Sequence, residues 1–549
     1  MGILVIGVAI GASCLFYSFK DPYFEISKNL DIFTTLYREV NTFYVDEVDP
    51  GNVMKKAIDA MLKELDPYTV YISEADVEDF MVQTTGSYGG IGAIIRRVDD
   101  YVLISEVYEG APADIAGLIP GDKLVKVNSK KVKGKTTSEV SEILKGQPGT
   151  NLKLEIERIN QEELMDVEIT REEVKIKSVP YAGMLDDETG YILLRSFTRN
   201  CAKEVQDAMV NLKKNHGMKS LVIDLRGNPG GLLGEAVRLC NIFIPKGEEV
   251  VHTKGKLKEW QKSYKTQGEP IDVDIPLVIL VNQGSASASE IIAGTLQDLD
   301  RAVIIGRRTY GKGLVQQTRP MPYNSQVKIT TAKYYTPSGR CIQALDYAQR
   351  NEDGSVGKTP DSLRNPFETR NHRVVYDGGG VDPDIEVRQE EYGNIIISLL
   401  KKQLIFGFSN EYASNHESIS DVKDFEIDTQ IFQSFKTYLE GKDYEYESET
   451  ESLLKILKET AEDEKYFEDI QDAFDDLSAD LKENKRNDVD KYEGQIKEFL
   501  LSEIVKRYYY QKGAIQSGLK EDPFVLQATS TLQNQDTYQA ILTGQGKGK

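Results

Sequence analysis

Residues that bind metals or form disulfides are scarce in this sequence of 549 residues. It has 4 cysteines and 4 histidines, and none of them form the C-x-x-C, H-E-x-x-H or H-x-H patterns of zinc and thiol–disulfide sites. Positive charge is also in deficit, because 67 Lys and Arg stand against 88 Asp and Glu. We therefore expect no metal site and no nucleic-acid partner, since binding to a phosphate backbone draws on a surplus of basic residues.

Long apolar runs are missing as well, apart from one at the start. The mean hydropathy of −0.41 argues against a chain with several membrane spans. Met1–Tyr17 is almost wholly apolar, and its length fits either a signal peptide or a short membrane anchor, so we assign residues 1–20 to one of these. The alternative for this segment is a buried core helix. We expect export to the periplasm or cell envelope, with the segment either cleaved or retained as an anchor.

The rest of the chain divides by pattern, and its length suggests about three or four domains. Apolar residues at helical spacing predict a helical region over residues 21–84, and short strands between glycine turns predict a β module over 85–173. Strands alternate with helices over 174–390, which predicts an α/β core with a mostly parallel sheet. Residues 391–549 have a helical and strongly acidic pattern, typical of a solvated helical surface. The fold class is therefore a multidomain combination of α/β and β.

Within the α/β core, apolar runs and helical periodicity predict individual elements. The predicted strands are Tyr191–Leu194, Ser220–Asp224, Leu277–Val281, Ala302–Ile305 and Leu314–Pro320, and the predicted helices are Cys201–Asn215, Leu232–Ile242 and Ala288–Gln297.

The β module carries a specific motif. Ala113–Leu124 reads A-x-x-A-G-L-x-x-G-D-x-L and resembles the PDZ domain. PDZ modules bind the C-terminal tails of proteins by adding them as a strand to a sheet edge. A glycine-rich loop suits this role because its bare N–H groups can face a terminal carboxylate. We place that loop at Gly89, Gly90, Ile91 and Gly92, with a plain structural turn as the alternative.

Three serines follow the predicted strand Leu277–Val281 at alternate positions, just where the next helix begins. The free N–H groups and the positive end of a helix suit a developing oxyanion. On a helix Ser285 and Ser289 share a face, whereas Ser287 points the other way. Spacing alone does not decide which hydroxyl reacts, and helix capping with small-residue packing is the alternative.

A lysine between two glycines provides a second candidate group. Lys312 lies between Gly311 and Gly313, and a desolvated lysine can act as a neutral base beside a serine. The glycines that end Asp224–Gly231 are a third candidate, because their N–H groups could complete an oxyanion site. The alternatives are a solvated turn lysine and a tight strand–helix turn.

A nucleotide-binding site is a further alternative for the lysine segment. Gly306–Lys312 fits the first part of a phosphate-binding loop, G-x-x-x-x-G-K. The next residue is Gly313 rather than Ser or Thr, so the hydroxyl that would bind Mg²⁺ is missing. A predicted strand then follows instead of a helix, which leaves this reading little support.

Together these segments resemble the carboxyl-terminal processing peptidases, also called tail-specific proteases. The resemblance covers residues 21–385 in the family's order: a helical preface, a PDZ module, DLRGNPGG at 224–231, SASASE at 285–290 and YGKGLVQQ at 310–317. It implies a PDZ module inserted before a crotonase-like α/β catalytic core, with helical regions at both ends. It implies neither a cofactor nor a metal.

The resemblance also implies roles for individual residues. Ser287 would be the nucleophile and Lys312, which follows it by 25 positions, the general base. Gln316 would orient the lysine amine. The oxyanion would be held by backbone N–H groups of Ala288 and of either Gly230 or Gly231. Glu290 and Asp298 also fall at recurrent acidic positions of the family and are interpreted as structural.

The implied function is that of a serine endopeptidase. Its PDZ domain would capture protein substrates with exposed apolar C-termini, and binding of the tail could also gate the active site. A homo-oligomer or an adaptor protein is a further expected partner, and membrane contact is expected only through the N-terminal segment. The alternative is a catalytically silent PDZ peptide-binding protein on a protease scaffold.

Overall fold

The computed structural model describes residues 22–350, 356–388 and 390–545. The predicted signal peptide or anchor, residues 1–20, lies outside these ranges. No helix within them combines the length and the apolar character needed to cross a membrane. The described residues fall into two compact units, one of residues 22–72 with 318–329 and one of residues 73–317 with 330–545.

The first unit is mainly helical. Helix α1 is Pro22–Phe43 and helix α2 is Pro50–Lys63. The second helix begins where the Asp49 side chain accepts a hydrogen bond from the Asn52 N–H and proline occupies the first turn, both of which favour a helix start. Strand β1, Val70–Ile72, pairs antiparallel with residues 326–328. The helical prediction is confirmed for α1 and α2.

The β module follows. After a short 3₁₀ helix (Glu74–Asp76), its elements are α3 Val77–Thr85, β2 Ser87–Gly90, β3 Ala93–Val98, β4 Tyr101–Val107, α4 Pro112–Ile115, β5 Lys123–Val127, β6 Lys130–Lys131, α5 Thr137–Leu144, β7 Asn151–Glu157, β8 Met165–Thr170 and β9 Glu172–Lys175. The sheet is antiparallel in the order β3-β4-β5-β7-β8.

The aspartate of the G-D motif explains part of the signature of this module. Asp122 is fully buried, and its carboxylate accepts hydrogen bonds from Arg158 Nε at 2.7 Å and from the Ile119 N–H at 2.9 Å. A buried carboxylate needs such partners, so the motif residue fixes the turn that leads into β5.

The α/β core is built around a six-stranded sheet. Its elements, with those of the adjoining segments, are β10 Tyr181–Met184, β11 Thr189–Leu193, α6 Cys201–His216, β12 Ser220–Asp224, α7 Leu233–Phe243, β13 Glu249–Gly255, β14 Lys262–Lys265, β15 Leu277–Val281, α8 Ala288–Asp298, β16 Val303–Gly306, β17 Leu314–Pro320, β18 Gln326–Tyr335, β19 Leu345–Arg350, β20 Val356–Lys358, β21 Pro366–Glu368, β22 Val374–Tyr376 and β23 Ile385–Glu386, with 3₁₀ turns at Lys258–Trp260 and Asp361–Leu363.

The strand order of this sheet is β10-β11-β12-β15-β16-β23. All pairs are parallel except β10 with β11. Strands β11, β12, β15 and β16 are buried along their whole length, which is why they read as continuous apolar runs. Helices α6, α7 and α8 cover one face of the sheet.

The remaining chain is helical, as predicted. Its helices are α9 Asn394–Lys401, α10 Leu404–Asn415, α11 Thr429–Leu439, α12 Glu449–Asp463, α13 Phe467–Arg486, α14 Asp488–Lys491, α15 Glu493–Gly518, α16 Pro523–Gln533 and α17 Gln535–Leu542.

Two groups of these helices occupy different positions. Helices α9, α10, α11 and α15 form a hydrophobic cluster of their own. Helices α16 and α17 instead pack on the second face of the catalytic sheet, where Phe524 and Val525 lie in one apolar cluster with Val222, Val278 and Leu280. The core therefore has three layers, and its third layer comes from beyond residue 390, where the sequence pattern placed the end of the core.

Candidate active site

The three serines lie in the turn between β15 and α8, and the structure separates them. Ser285 and Ser289 are buried, and their hydroxyls donate hydrogen bonds to the carbonyl oxygens of Leu225 at 2.8 Å and Asn228 at 2.9 Å. Ser287 is the partly exposed member of the three. The outer two hydroxyls therefore anchor the turn, and Ser287 is the one that a substrate can reach.

The backbone at Ser287 is strained. Its φ is +56° and its ψ is −112°, a conformation that non-glycine residues rarely adopt and that costs on the order of 1–3 kcal/mol. Ser287 immediately precedes α8, so it sits on a sharp strand-to-helix turn at the positive end of the helix. Such a turn exposes the side chain at its tip and brings backbone N–H groups close to it.

The turn Asp224–Gly231 is joined to this serine turn by hydrogen bonds. The carbonyl of Asn228 accepts the Ala286 N–H at 3.0 Å in addition to the Ser289 hydroxyl. The Asn228 side chain donates to the Leu194 carbonyl at 2.8 Å and accepts the Gly230 N–H at 2.9 Å. The two turns thus form one connected unit at the carboxyl ends of neighbouring parallel strands.

Gly230 and Gly231 occupy different positions in this unit. A Cβ atom on Gly230, whose φ is +98°, would lie 2.8 Å from Ser287 Cβ and 2.9 Å from the Ala288 nitrogen. The space in front of the Ala288 N–H therefore exists because residue 230 has no side chain. Gly231 is fixed by its two neighbours, which both bind the backbone of Phe197. The Phe197 N–H donates to the Gly230 carbonyl at 3.0 Å, and the Phe197 carbonyl accepts the Leu232 N–H at 2.8 Å.

A buried carboxylate joins the serine and the lysine. Glu290 is fully buried, and its Oε2 accepts the N–H groups of Ser287 at 2.8 Å and Lys312 at 2.9 Å. Its Oε1 accepts the Gly311 N–H at 2.7 Å and the Thr309 hydroxyl at 2.5 Å. Burial raises the pKa of Glu290 to about 7, against the lowering effect of these hydrogen bonds.

A buried tyrosine joins the same two residues from the other side. The hydroxyl of Tyr334, on β18, lies 3.0 Å from the carbonyl oxygen of Ser287 and 2.7 Å from that of Lys312. Burial, and secondarily the charge of Glu290, raise the pKa of this phenol well above its usual range. It therefore stays protonated and acts as a donor at neutral pH.

Glu290 and Tyr334 were not recognised as part of the site from the sequence. Glu290 stands at the third helical position after Ser287, which is the capping-box position, so its bond to the Ser287 N–H could have been found there. Tyr334 lies 47 positions after Ser287 and carries no local signal.

The structure brings Ser287 and Lys312 together through their backbones. Lys312 is half-buried. Gln316 lies on β17, four positions after Lys312, and its amide donates to the Thr330 hydroxyl at 3.2 Å. Within the described residues no group of three or more His, Cys, Asp or Glu side chains is placed to hold a metal ion.

The predicted glycine loop of the PDZ module is shorter than expected. Gly89 and Gly90 lie in β2, which pairs with β9, and the Gly89 carbonyl accepts the Gly146 N–H at 3.0 Å. The pattern suggested a loop here because it could not reveal a partner strand more than eighty residues away. Ile91 is buried and Gly92 has a φ of +72°, so the irregular backbone is confined to these two residues.

The PDZ module also contacts the helical region. The Tyr510 hydroxyl donates to Asp114 Oδ1 at 2.9 Å, and Asn160 donates to the Ser414 hydroxyl at 2.8 Å. The guanidinium of Arg96 lies 4.6 Å from the centre of the Phe406 ring, a distance typical of a cation–π contact. The module is thus held by the helices as well as by its connections to the core.

The nucleotide reading loses its remaining support. A phosphate-binding loop needs a helix start after its lysine. Lys312 is followed instead by strand β17, as the sequence predicted.

Comparison with known proteins identifies the family. A model of peptidase family S41 matches residues 188–349, a PDZ domain model matches 103–158, and the C-terminal helical domain of a probable PDZ-protease matches 395–532. A probable CtpA-like serine protease of Staphylococcus haemolyticus (strain JCSC1435) is 32% identical over 435 residues, 79% of this chain and 78% of that protein. The chain belongs to peptidase family S41. The family recognised in the sequence, the PDZ-containing C-terminal processing peptidases, is thereby confirmed.

One further sequence match agrees with this S41 assignment. A probable CtpA-like serine protease of Staphylococcus aureus (strain N315) is 40% identical over 317 residues, 57% of this chain and 62% of that protein. The chain thus spans less than two thirds of the length of that relative. A solved structure, the photosystem II D1 C-terminal processing protease, is 27% identical, covers 65% of this chain and 92% of its own, and has a TM-score of 0.35. The assignment itself rests on the sequence matches.

Proposed function

We propose that this S41 peptidase is a serine endopeptidase in which Ser287 is the nucleophile and Lys312 the general base. The observation that carries the proposal is the shared support of these two residues: Glu290 binds both N–H groups and Tyr334 binds both carbonyls. If Lys312 were only a solvated turn residue, there would be no structural reason for two buried side chains to bind its backbone together with the backbone of Ser287.

The proposed reaction is acyl transfer. The neutral amine of Lys312 takes the proton of the Ser287 hydroxyl, whose oxygen attacks the peptide carbonyl. The lysine then gives the proton to the leaving amine, and water hydrolyses the acyl-enzyme. In this scheme Gln316 orients the lysine amine.

The oxyanion would lie in front of the Ala288 N–H, at the start of α8. The second donor in this proposal is Gly231 rather than Gly230, because the Gly230 N–H already binds the Asn228 side chain at 2.9 Å. Gly230 contributes by leaving the space open. Preorganised donors of this kind lower the barrier by stabilising charge that forms only in the transition state.

Substrates would be captured by the PDZ module through an exposed apolar C-terminus. Among the described residues β3 pairs only with β4, so it forms an edge of the sheet to which a peptide strand can add. Helix α5 lies against β3. Ile91 and Gly92 immediately precede the first residue of β3. In the proposal the tail binds between β3 and α5 with its carboxylate near the N–H groups of the Gly89–Gly92 segment.

The test is cleavage of a poorly folded protein that carries either an apolar or a charged C-terminal tail. The full chain would be compared with Ser287→Ala, Lys312→Ala and the matched control Ser285→Ala. We expect cleavage by the wild type, with preference for the apolar tail, and none by the first two variants. Ser285→Ala should keep cleavage but unfold more easily, because it loses a buried hydrogen bond.

Two results would contradict the proposal. Cleavage that survives in Ser287→Ala would mean that another group is the nucleophile. Tail binding without cleavage by any form, with or without added partner proteins, would favour the catalytically silent PDZ binding protein.

Export and assembly are further parts of the proposal. The apolar segment Met1–Tyr17 would take the enzyme to the cell envelope, either as a cleaved signal or as an anchor. Fractionation of cells that express the full chain, with N-terminal sequencing of the product, tests both. Recovery of an uncleaved chain from the cytoplasm would overturn the proposed export.

A homo-oligomer or a complex with an adaptor protein is tested by light scattering and by co-purification.

A further inference from the structure

An ion pair links the helical region to the turn behind the oxyanion site. Asp522 lies at the start of α16, and its two carboxylate oxygens accept hydrogen bonds from Arg226 Nη1 at 3.0 Å and Nη2 at 2.7 Å. Arg226 follows β12 and belongs to the turn Asp224–Gly231. The two residues are 296 positions apart, so this contact joins the catalytic core to the domain matched at residues 395–532.

Arg226 is held between two carboxylates. Its Nε and Nη2 donate to Asp224 at 3.0 and 2.6 Å, and its guanidinium lies 4.8 Å from the centre of the Phe524 ring. The side chains of Arg226 and Asp522 are 17% and 19% exposed, so water competes only weakly for their bonds. A planar guanidinium bound along two edges is fixed in orientation as well as in position.

The residues that follow Arg226 in this turn are hydrogen-bonded to the serine turn. The next residue, Gly227, donates its N–H to the Asn282 side chain at 2.9 Å, which lies in the serine turn. Asn228 then binds Ala286, Ser289 and Gly230 through the bonds described above. There is thus a continuous series of hydrogen bonds from Arg226 to the residues on both sides of Ser287.

We propose that Asp522 is a positioning residue of the active site, through which the C-terminal helical domain holds Arg226 and thereby the oxyanion turn in its reactive geometry. The inference rests on the proposed function for its kinetic consequence. In Asp522→Asn the side chain has one acceptor oxygen instead of two and no charge. Arg226 then keeps its bonds to Asp224 but loses the charged, two-bond contact on its other edge. The turn then gains freedom, and the donors in front of Ser287 are less well aligned with the developing oxyanion.

Two substitutions separate the ion pair from the helix cap. Asp522 also caps α16, since its carboxylate accepts the N–H groups of Phe524 and Val525. Asp522→Asn keeps a good N-cap but removes the charge, whereas Asp522→Glu keeps the charge and weakens the cap. Asp428→Asn is the matched control, because Asp428 caps α11 of the same region through the Ile431 N–H and lies on a different helix.

We expect Asp522→Asn to lower kcat about tenfold with KM near the wild-type value, the pattern of an interaction that matters in the transition state. Asp522→Glu should retain most of kcat, and Asp428→Asn all of it. If the role of Asp522 were only to cap the helix, Asp522→Glu would be the more damaged variant, and that result overturns the inference. Equal kcat in Asp522→Asn and Asp428→Asn also overturns it.

A second measurement does not depend on cleavage. Amide hydrogen exchange of the segment 224–231 in the full chain should be faster in Asp522→Asn than in Asp428→Asn, with the two melting temperatures alike. Unchanged exchange in this segment overturns the inference. If the wild type cleaves no substrate, the proposed function fails, and the exchange rates still decide whether Asp522 positions the turn.

Discussion

The carbonyl oxygens of Ser287 and Lys312 share one hydrogen-bond donor, the hydroxyl of Tyr334, at 3.0 and 2.7 Å. Their N–H groups likewise share one acceptor, Glu290 Oε2, at 2.8 and 2.9 Å. The relative placement of the two residues is therefore set by backbone bonds to two buried side chains. In the proposed reaction the side chains of Ser287 and Lys312 can therefore change their contacts while their backbones stay in place.

Removal of the shared donor should impair the reaction more than the binding of substrate. In Tyr334→Phe two partly buried carbonyls lose their shared donor, at a cost of about 1–3 kcal/mol in the free energy of unfolding. We expect kcat to fall about tenfold while KM changes little. Steady-state kinetics with Tyr335→Phe as control checks this, because Tyr335 is the next residue on β18 and stacks on His252 instead. Equal kcat values for the two variants would contradict the prediction.

A side chain at residue 230 should abolish activity. In Gly230→Ala the new Cβ would lie 2.7 Å from the Ala286 carbonyl oxygen, and the φ of +98° is strained for alanine. The serine turn has to shift, and the space in front of the Ala288 N–H is filled.

Gly234→Ala is the matched control, since Gly234 lies in α7 with no atom within 4 Å of the added Cβ. Alanine favours the helix there, so we expect stability unchanged or raised by about 0.5–1 kcal/mol. Cleavage assays and melting curves of both variants provide the comparison. An active Gly230→Ala enzyme would be incompatible with the proposed oxyanion position.

Glu290 should make the stability of the protein depend on pH in an unusual direction. Burial raises its pKa from 4.5 to about 7. Between these pH values the carboxyl is therefore protonated to a larger extent in the folded protein than in the unfolded chain. The contribution of this group to stability is therefore present in full below pH 4.5 and is lost as the pH rises to about 7.

Melting temperatures of the wild type and Glu290→Gln, measured from pH 5 to pH 8, test this directly. The advantage of the wild type over the variant should be larger at pH 5 than at pH 8, with most of the change below pH 7. A constant difference across the range would show that Glu290 does not titrate there.

The buried cysteines should be inert toward alkylation in the folded protein. Cys201 and Cys240 are fully buried, and burial raises the pKa of both thiols far above the usual range. Because the thiolate is the reactive form, iodoacetamide at pH 8 should label them only after denaturation. Mass spectrometry of the peptides measures this. Rapid labelling of Cys240 without denaturant would contradict the packing of α7 against the sheet.

The catalytic core was the most predictable part of the fold. Strands β12, β15 and β17 have the bounds predicted for them. For β12 and β15 the reason is that a strand buried on both faces reads as a short apolar run with polar or glycine residues near its ends. Helix α8 extends one residue beyond its predicted end. Such elements depend on their own residues more than on distant ones.

The features that the sequence did not predict involve contacts between residues that are far apart in the chain. Gly89 and Gly90 read as a loop, but β9 supplies a partner strand for them. The roles of Tyr334 and Asp522 depend on β18 and α16 reaching the active-site turns, and no spacing rule relates them to Ser287. The motifs supplied the proposed reacting groups, Ser287 and Lys312, whereas the side chains that bind their backbones came only from the tertiary structure.

The order in which the chain is synthesised gives the third layer of the core a further consequence. Val222, Val278 and Leu280 of the central strands pack against Phe524 and its neighbours, which are synthesised roughly 240 to 300 residues later. Until then this apolar face has no permanent cover and offers a surface for chaperones or for aggregation. Cover of this sheet face thus depends on synthesis of residues 523–542, so a translation product that stops before them would leave the apolar side chains of the central strands exposed.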